Sequence, residues 1–317
     1  MRLAAAAAAM VLVAPALEGR PKVNVVLLMA DDLGYHDVAC YGHPQIKTPV
    51  IDGLARDGVR LTNFHAGATV CTPSRMALLT GAYPVRLGWS EGVVGYLMKR
   101  GEGMSPEAFT MAELFRDAGY RTGLVGKWHL GDDEPFRPHR QGFEETYYLN
   151  KSNNQTKEVW RGDEVVEKPF DNRRLTEQFT REAIAFIERH RESPFFLYLP
   201  FTAPHFPVQA HPDWKGKSSF GVYGDVVEEM DARIGEILAT LVRAGLSENT
   251  IVVFCSDNGP EPGTKQSKAD PYRGRKWSAL EGGTRVPCIV RWPGKVPAGK
   301  TIPDLVAAID LLPTLAT

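Results

Sequence analysis

The chain has 317 residues, of which 43% are hydrophobic and 24% charged, so it can build one large core and is neither disordered nor fibrous. Its formal net charge is -1, which excludes an overall basic field for nucleic acid, and any selectivity for anions must be local. The four cysteines are too few and too widely spaced for a disulfide framework.

The first residues are typical of an export signal. Arg2 precedes an alanine-rich apolar run over residues 3–13, and small side chains suited to a cleavage site follow at residues 14–16. The run is shorter than the roughly 20 apolar residues that a membrane span needs. We therefore predict a signal peptide over residues 1–19, a catalytic domain over residues 20–317, a periplasmic or secreted location, and no membrane span after cleavage.

Helix and strand patterns alternate along the rest of the chain. Apolar runs of the buried-strand type predict strands at residues 24–29, 122–125, 195–199 and 251–255. Helical spacing and helix-ending residues predict helices at residues 48–57, 111–118, 175–191 and 222–244. The alternation predicts an α/β fold with a mainly parallel sheet covered on both faces, in which Cys255 is a buried free thiol.

A short helix is predicted to begin near Cys71. Thr72 is suited to the N-cap, Pro73 to the first helical position, and Gly81 to the end of the helix. Cys71 would then lie just ahead of a helix N-terminus, where free N–H groups and the helix dipole favour an anion. Arg75 lies about one turn further on and can return to the same end, so the sequence predicts an oxyanion site built on Cys71.

Polar side chains follow the predicted strands at the point where each strand ends. They are Asp31, Asp32, Lys127, His129, His205, Asp257 and Asn258. Ligands bind at this edge of an open α/β sheet, and three carboxylates with an amide oxygen suit Ca²⁺ or Mg²⁺ better than zinc. Each of these residues also has a structural interpretation when it is taken singly. The two aspartates at 31–32 are equally suited to a helix cap. A lysine after a strand is usually a solvated surface charge, and a histidine beside prolines is often a turn residue.

Three segments resemble the type I sulfatases. Residues 71–75, Cys-Thr-Pro-Ser-Arg, match the core signature of that family. Residues 119–122 with 126–129 resemble its second signature, and residues 276–287 resemble its lysine segment. The resemblance runs from about Asn24 to the end of the chain.

The resemblance implies an alkaline-phosphatase-like α/β/α sandwich from which a smaller C-terminal subdomain is missing. It also implies that a maturation enzyme converts Cys71 to formylglycine, whose hydrate is the nucleophile. One divalent ion, usually Ca²⁺ with Mg²⁺ as the alternative, is implied to bind Asp31, Asp32, Asp257, Asn258 and the modified Cys71. The implied substrate is a sulfated small molecule or glycan, for which aryl sulfates are laboratory surrogates.

The same resemblance implies a role for each further site residue. Three cations stabilise the sulfuryl oxygens: Arg75, Lys127 and Lys276. Asp257 helps deprotonate the attacking hydroxyl, and His205 protonates or orients the leaving group. His129 then takes a proton from the second hydroxyl, which expels sulfate and restores the aldehyde.

One segment departs from the family pattern. Many sulfatases place a polar residue and a sulfate-binding histidine after the equivalent of residues 142–143, whereas here Ser152 is the candidate match and Asn153 replaces a more basic partner. Neither is included in the predicted site, and the segment is expected to shape substrate preference. The apolar residues at 311–315 are expected to lack a packing partner within this chain.

Three other functions remain open from the sequence. The first is a phosphomonoester or phosphonate hydrolase, which shares a tetrahedral anionic substrate and the metal ligands with a sulfatase. The second is an enzyme that uses the unmodified Cys71 as a thiolate nucleophile. The third is a carbohydrate-binding protein without catalytic activity. Four aromatic residues could stack on sugar rings or lie in the core: Tyr41, Trp89, Trp128 and Trp214.

Overall fold

A computed structural model describes residues 22–90, 92–97 and 102–317 of the chain. The signal peptide predicted over residues 1–19 lies outside them. The strands within the described residues are β1 (Asn24–Ala30), β2 (Val59–Leu61), β3 (Phe64–His65), β4 (Arg121–Lys127), β5 (Glu145–Leu149), β6 (Val159–Arg161), β7 (Glu164–Glu167), β8 (Phe195–Pro200), β9 (Thr250–Ser256), β10 (Cys288–Arg291), β11 (Lys300–Ile302) and β12 (Val306–Ala307).

The α-helices of the same residues are α1 (Pro49–Asp57), α2 (Cys71–Thr80), α3 (Met111–Asp117), α4 (Leu175–Arg189), α5 (Val222–Arg243), α6 (Glu281–Thr284) and α7 (Leu311–Leu315). The predicted strands and long helices are confirmed, with ends that shift by at most two residues. Among the described residues, no helix combines the length and the apolarity needed to cross a bilayer.

The main sheet has ten strands in the order β11-β2-β10-β9-β1-β8-β4-β5-β6-β7. Its five central strands, from β9 to β5, run parallel, and β10, β6 and β7 pair antiparallel toward the edges. β1 lies at the centre, where Leu27 is opposite Val253 on one side and Tyr198 on the other. The mainly parallel sheet predicted from the sequence is therefore confirmed.

Helices cover both faces of this sheet and form two cores. Val26 and Leu28 of β1 pack into one core, which contains α1, α4 and α5, while Leu27 and Met29 pack into the other, with α2 and α3. Adjacent strand residues point to opposite faces, so a strand buried on both sides is apolar throughout. Cys255 is buried and unpaired, as predicted.

One expectation about apolar residues is corrected, and one open alternative is decided. Leu311 is only 6% exposed and belongs to the core that contains α2, so α7 does have a packing partner within the chain. The aromatic residues Tyr41, Trp89 and Trp128 are buried in the two cores, and Trp214 packs against one of them, because each has an apolar partner there. These four residues therefore belong to the packing of the protein.

Candidate active site

α2 begins at Cys71, one residue before the predicted cap. The N-cap residue is Val70, whose extended backbone has φ of -149° and ψ of 160°. Thr72 is not the cap, because its hydroxyl donates to the His129 carbonyl at 2.8 Å and accepts the Val94 N–H at 3.0 Å. These tertiary bonds tie the helix N-terminus to two neighbouring segments and fix the position of Cys71.

Arg75 is fully buried beneath the site. Its Nε and Nη2 donate to Asp257 Oδ2 at 2.9 and 2.7 Å, and its Nη1 donates to the Lys127 carbonyl at 3.0 Å. Nη2 also lies 3.3 Å from Asp31 Oδ1. The sequence predicts that this guanidinium binds an anion. In the structure it contacts two carboxylates, which the fork-shaped arrangement of its N–H donors favours.

Asp31 joins the predicted nucleophile to a second cation. Lys127 Nζ donates to Asp31 Oδ2 at 2.6 Å, and the Cys71 thiol donates to Oδ1 at 3.5 Å. Burial by itself would raise the pKa of Asp31, but the positive charges of Lys127, His205 and Arg75 hold it well below its usual value. Asp31 is therefore a carboxylate at neutral pH.

The backbone of β4 explains the glycine of the second signature. Gly126 has φ of 131°, and a Cβ there would lie 2.0 Å from the Pro200 carbonyl oxygen of β8. Only glycine permits this conformation and this close approach. Gly126 thus lets β4 deliver Lys127 and His129 to the same edge as β1.

Asp32 is the centre of a second group of contacts. It has a positive φ of 65°, and Lys276 Nζ donates to its Oδ2 at 2.8 Å. Asn258 Nδ2 donates to Oδ1 at 2.7 Å, and His205 Nε2 lies 3.6 Å from Oδ2. The structure therefore brings together residues separated by as many as 244 positions in the sequence.

The donor set fits a hard divalent cation. Ligand atoms of Asp31, Asp32, Cys71 and His205 lie within 4.8 Å of one another. Asn258 Oδ1 is buried there and has no hydrogen-bond partner within the described part of the chain, although such atoms are normally paired. Asp257 Oδ1 adds another oxygen and accepts the Asp32 N–H at 3.1 Å. Oxygen atoms dominate this set, as Ca²⁺ and Mg²⁺ require.

His129 has one nitrogen held by the backbone. Its Nε2 donates to the Val94 carbonyl at 2.9 Å, and its Nδ1 lies 3.5 Å from the Ser152 hydroxyl. Burial, followed by the charges of Lys127 and Arg75, holds the pKa of His129 well below its usual value, so the ring is neutral. Ser152, which the sequence leaves outside the site, is therefore a neighbour of the basic nitrogen.

Two further pKa shifts bear on the chemistry. Burial raises the pKa of the Cys71 thiol to about 12, although Lys127 and Lys276 act in the opposite direction. The thiolate alternative is therefore disfavoured, because a helix N-terminus does not offset this burial. Burial and the negative charge of Asp31 together raise the pKa of Asp257 to about 6.

These groups meet at a pocket of about 260 Å³. Of the predicted site residues, Cys71, His129, His205 and Lys276 line it directly. The other lining residues are not among the predicted site residues, because no spacing in the sequence marks them as neighbours of Cys71. They are Val93, Tyr96, Asn154, Gln155, Phe206, Glu261 and Trp277. Tyr96 and Trp277 meet edge to face there, with ring centroids 5.9 Å apart.

A sequence profile of the sulfatase family matches residues 23–317. The chain belongs to the sulfatase family. Sulfatases are sulfuric ester hydrolases, so the predicted family and enzyme class are confirmed. The steryl-sulfatase of Rattus norvegicus is 34% identical over 93% of this chain and 67% of its own length. The N-acetylgalactosamine-6-sulfatase of the same species is 36% identical over 92% of this chain and 61% of its own length.

A solved sulfatase structure confirms the fold. Ps i-CgsB, crystallised with k-i-k-neocarrahexaose, superposes with a TM-score of 0.83 at 33% identity, over 93% of this chain and 71% of that one. The alkaline-phosphatase-like fold implied by the signatures is thus confirmed. The chain spans about two thirds of the length of these three relatives.

Proposed function

We propose that this chain is the catalytic part of an exported sulfatase that removes sulfate from a carbohydrate monoester, with residue 71 converted to formylglycine. The observation that carries the proposal is the position of Cys71. Its side chain lines the pocket at the start of α2 and is bonded to Asp31, with Lys276 on the same pocket wall. The proposal extends to a maturation enzyme that converts the residue and to a signal peptide that directs export.

One divalent cation, Ca²⁺ with Mg²⁺ as the alternative, would be held by five residues. They are Asp31, Asp32, Asp257, Asn258 and the converted residue 71. When bound, such an ion supplies positive charge and Lewis acidity for a sulfuryl group. The unpaired Asn258 Oδ1 supports its presence most directly.

The cations of the chain have two different tasks in this proposal. Lys276 lines the pocket and can bind the sulfuryl oxygens, as an oxyanion site requires. Arg75 and Lys127 lie beneath, where they hold Asp31 and Asp257 in place. Their charge reaches the substrate mainly as a fixed field, which costs no reorganisation during the reaction.

The proton-transfer groups are assigned from their free atoms. The Cys71 Sγ marks where the hydroxyls of the converted side chain would lie, and Asp257 is the group we propose to accept the first proton. His205 Nδ1 donates to the Phe206 carbonyl at 2.6 Å, which leaves Nε2 to exchange a proton with the leaving oxygen. His129 Nε2 is held by Val94, so Nδ1 accepts the proton that restores the aldehyde.

The experiment that tests the function compares an aryl sulfate with the matching aryl phosphate. We expect the sulfate to be the better substrate and expect prolonged chelation to abolish turnover until Ca²⁺ is restored. Preference for the phosphate would overturn the assignment in favour of a phosphoester hydrolase. Full activity after prolonged dialysis with chelator would overturn the metal.

The state of residue 71 is tested by peptide mass spectrometry with an aldehyde-reactive hydrazine. We expect the hydrazone in active protein from a host that contains a sulfatase-maturing enzyme, and we expect Cys71→Ala to remain folded without hydrolysing sulfate esters. Active enzyme that carried only alkylatable thiol at this position would overturn the formylglycine mechanism.

A further inference from the structure

A second, larger cleft adjoins the catalytic pocket. Its volume is about 600 Å³, compared with about 260 Å³ for the pocket that contains Cys71. Asn154 and Phe206 line both cavities and form a shared rim between them. A ligand bound through its sulfate at Cys71 would have to leave the small pocket across the rim if it were larger than the pocket.

The floor of this cleft is a relay of three side-chain amides. Asn172 Nδ2 donates to Gln209 Oε1 at 3.3 Å and to the Pro207 carbonyl at 3.1 Å. Asn153 Nδ2 in turn donates to Asn172 Oδ1 at 2.6 Å. These hydrogen bonds join residues 153, 172 and 209, which lie in three separate segments of the chain, so the polar groups are positioned before a ligand arrives.

The relay ends in an acceptor that has no protein partner. Asn153 is only 4% exposed and lines the cleft, and its Oδ1 has no hydrogen bond among the described residues. A buried amide oxygen without a partner costs stability, and a hydroxyl that entered beside it would remove that cost. This unsatisfied acceptor indicates a hydroxyl-bearing ligand.

The remaining lining decides the class of that ligand. Phe206 is 53% exposed and presents an apolar ring at the rim, while Lys157 and Asp171 contribute one charge of each sign. An aromatic face beside amides matches a sugar ring, which has an apolar face and hydroxyls around its edge. A steroid skeleton would cover the amides without bonding to them, at a cost in affinity.

We infer that this cleft is a second sugar subsite, so that the substrate is a sulfated oligosaccharide in which the ring next to the sulfated ring contacts Asn153, Asn172 and Gln209. The inference rests on the proposed sulfatase function and adds to it the class and the minimum size of the substrate. It distinguishes this chain from a sulfatase that acts on steroids or on isolated sugar units.

The test uses an aryl sulfate together with sulfated fragments of chondroitin, carrageenan and heparin, fractionated from one to six rings. Sulfate release is measured for the wild type, for Asn172→Ala and Gln209→Ala, and for Gln45→Ala. Gln45 is an exposed glutamine that lies outside the cleft and serves as the control. We expect the wild type to gain about tenfold in kcat/KM between one ring and two rings in at least one series, which corresponds to about one or two hydrogen bonds.

Each cleft variant should lose most of this gain, which is read as the ratio of kcat/KM for the two-ring and one-ring substrates. Gln45→Ala should keep the wild-type ratio. Three results would overturn the second subsite. They are a ratio near one in the wild type, an unchanged ratio in both cleft variants, and an enzyme that hydrolyses the aryl sulfate but releases no sulfate from any fragment. Failure to hydrolyse the aryl sulfate would instead overturn the proposed function and, with it, this inference.

Discussion

Two of the regions that bury ionisable side chains balance them in different ways. At the catalytic edge, Asp31 and Asp257 contact the guanidinium of Arg75. On α5, Glu229 accepts the His211 N–H at 2.8 Å, and Asp231 accepts the N–H groups of residues 50 and 51 at 3.1 and 2.8 Å. In the first region the carboxylates contact a buried guanidinium. In the second region the carboxyl groups accept hydrogen bonds from backbone N–H groups, and Arg233 Nε lies 3.9 Å from Glu229 Oε1.

The difference changes how the buried carboxyl groups titrate. Paired charges keep Asp31 ionised, because Lys127, His205 and Arg75 together outweigh its burial. On α5, burial raises the pKa of both Glu229 and Asp231 to about 7, because backbone donors offset less of the desolvation cost. Asp31 therefore stays ionised at neutral pH, whereas Glu229 and Asp231 change charge near neutrality.

Removal of Arg75 would break the charge-paired region and has the largest expected effect. Arg75→Ala leaves Asp257 and Asp31 buried with less compensation, which costs about 3–5 kcal/mol of unfolding free energy. Activity should fall at least 10²–10³-fold, as for the loss of one preorganised donor. Urea denaturation and aryl sulfate turnover measure the two effects.

Arg75→Lys is the matched variant, because it keeps the charge and loses the fork of donors. It should be more stable than Arg75→Ala and still catalytically impaired. Wild-type turnover in either variant would show that the carboxylates do not depend on this guanidinium.

Asn258 tests whether the charge-paired region also holds a metal. Asn258→Ala removes the unpaired Oδ1 and should weaken Ca²⁺ binding about 10–100-fold, the range seen when groups at a metal site are lost. Asn258→Asp, which retains an oxygen at this position, should bind more tightly than the alanine variant. Chelator competition measures the affinities, and equal Ca²⁺ affinity in all three proteins would contradict the assignment.

Asp231 tests the backbone-paired region. It supplies from α5 the acceptor that Thr48 does not provide at the start of α1, since Thr48 makes no capping bond. Asp231→Ala should cost about 1–3 kcal/mol, because two N–H groups lose their partner. Asp231→Asn should recover part of this loss in thermal unfolding. If the alanine variant unfolded at the wild-type temperature, these hydrogen bonds would be dispensable.

The last prediction concerns the pH dependence of stability. The pKa of Glu229 is about 7 in the folded chain and near 4.5 when unfolded, so folding binds protons between these values. Its stabilising contribution is complete below about pH 4.5 and is lost as pH rises through about 7, with a slope of up to about 1.4 kcal/mol per pH unit.

Glu229→Gln keeps an acceptor for the His211 N–H and should remove this part of the pH dependence between pH 5 and 8. Glu188→Gln, at an exposed position on α4, is the matched control and should preserve it. Chemical denaturation at several pH values makes the comparison. Identical slopes in Glu229→Gln and wild type would show that Glu229 titrates in its ordinary range.

The sequence by itself determined the strands, the long helices and the place of the catalytic edge. Buried parallel strands must be apolar on both faces, so β1, β8 and β9 stand out as continuous apolar runs. The polar residues that follow such strands must meet at one edge, which is why Asp31 and Asp257 could be placed together before any coordinates were known. The family signatures supplied the chemistry of Cys71.

Only the tertiary structure decided which partner each polar group takes. Thr72 is of a residue type that often caps helices, but its hydroxyl bonds to the backbone of His129 and Val94 instead. Both partners are distant in the sequence, so sequence spacing does not predict these bonds. Arg75 was predicted to hold an anion, and the anions that it contacts are the carboxylates of Asp31 and Asp257, which directly follow β1 and β9. The amide relay of the second cleft joins residues 153, 172 and 209 in the same way. Such contacts form between loops whose paths are set by the packing of the whole sheet, so local sequence contains no periodic signal for them.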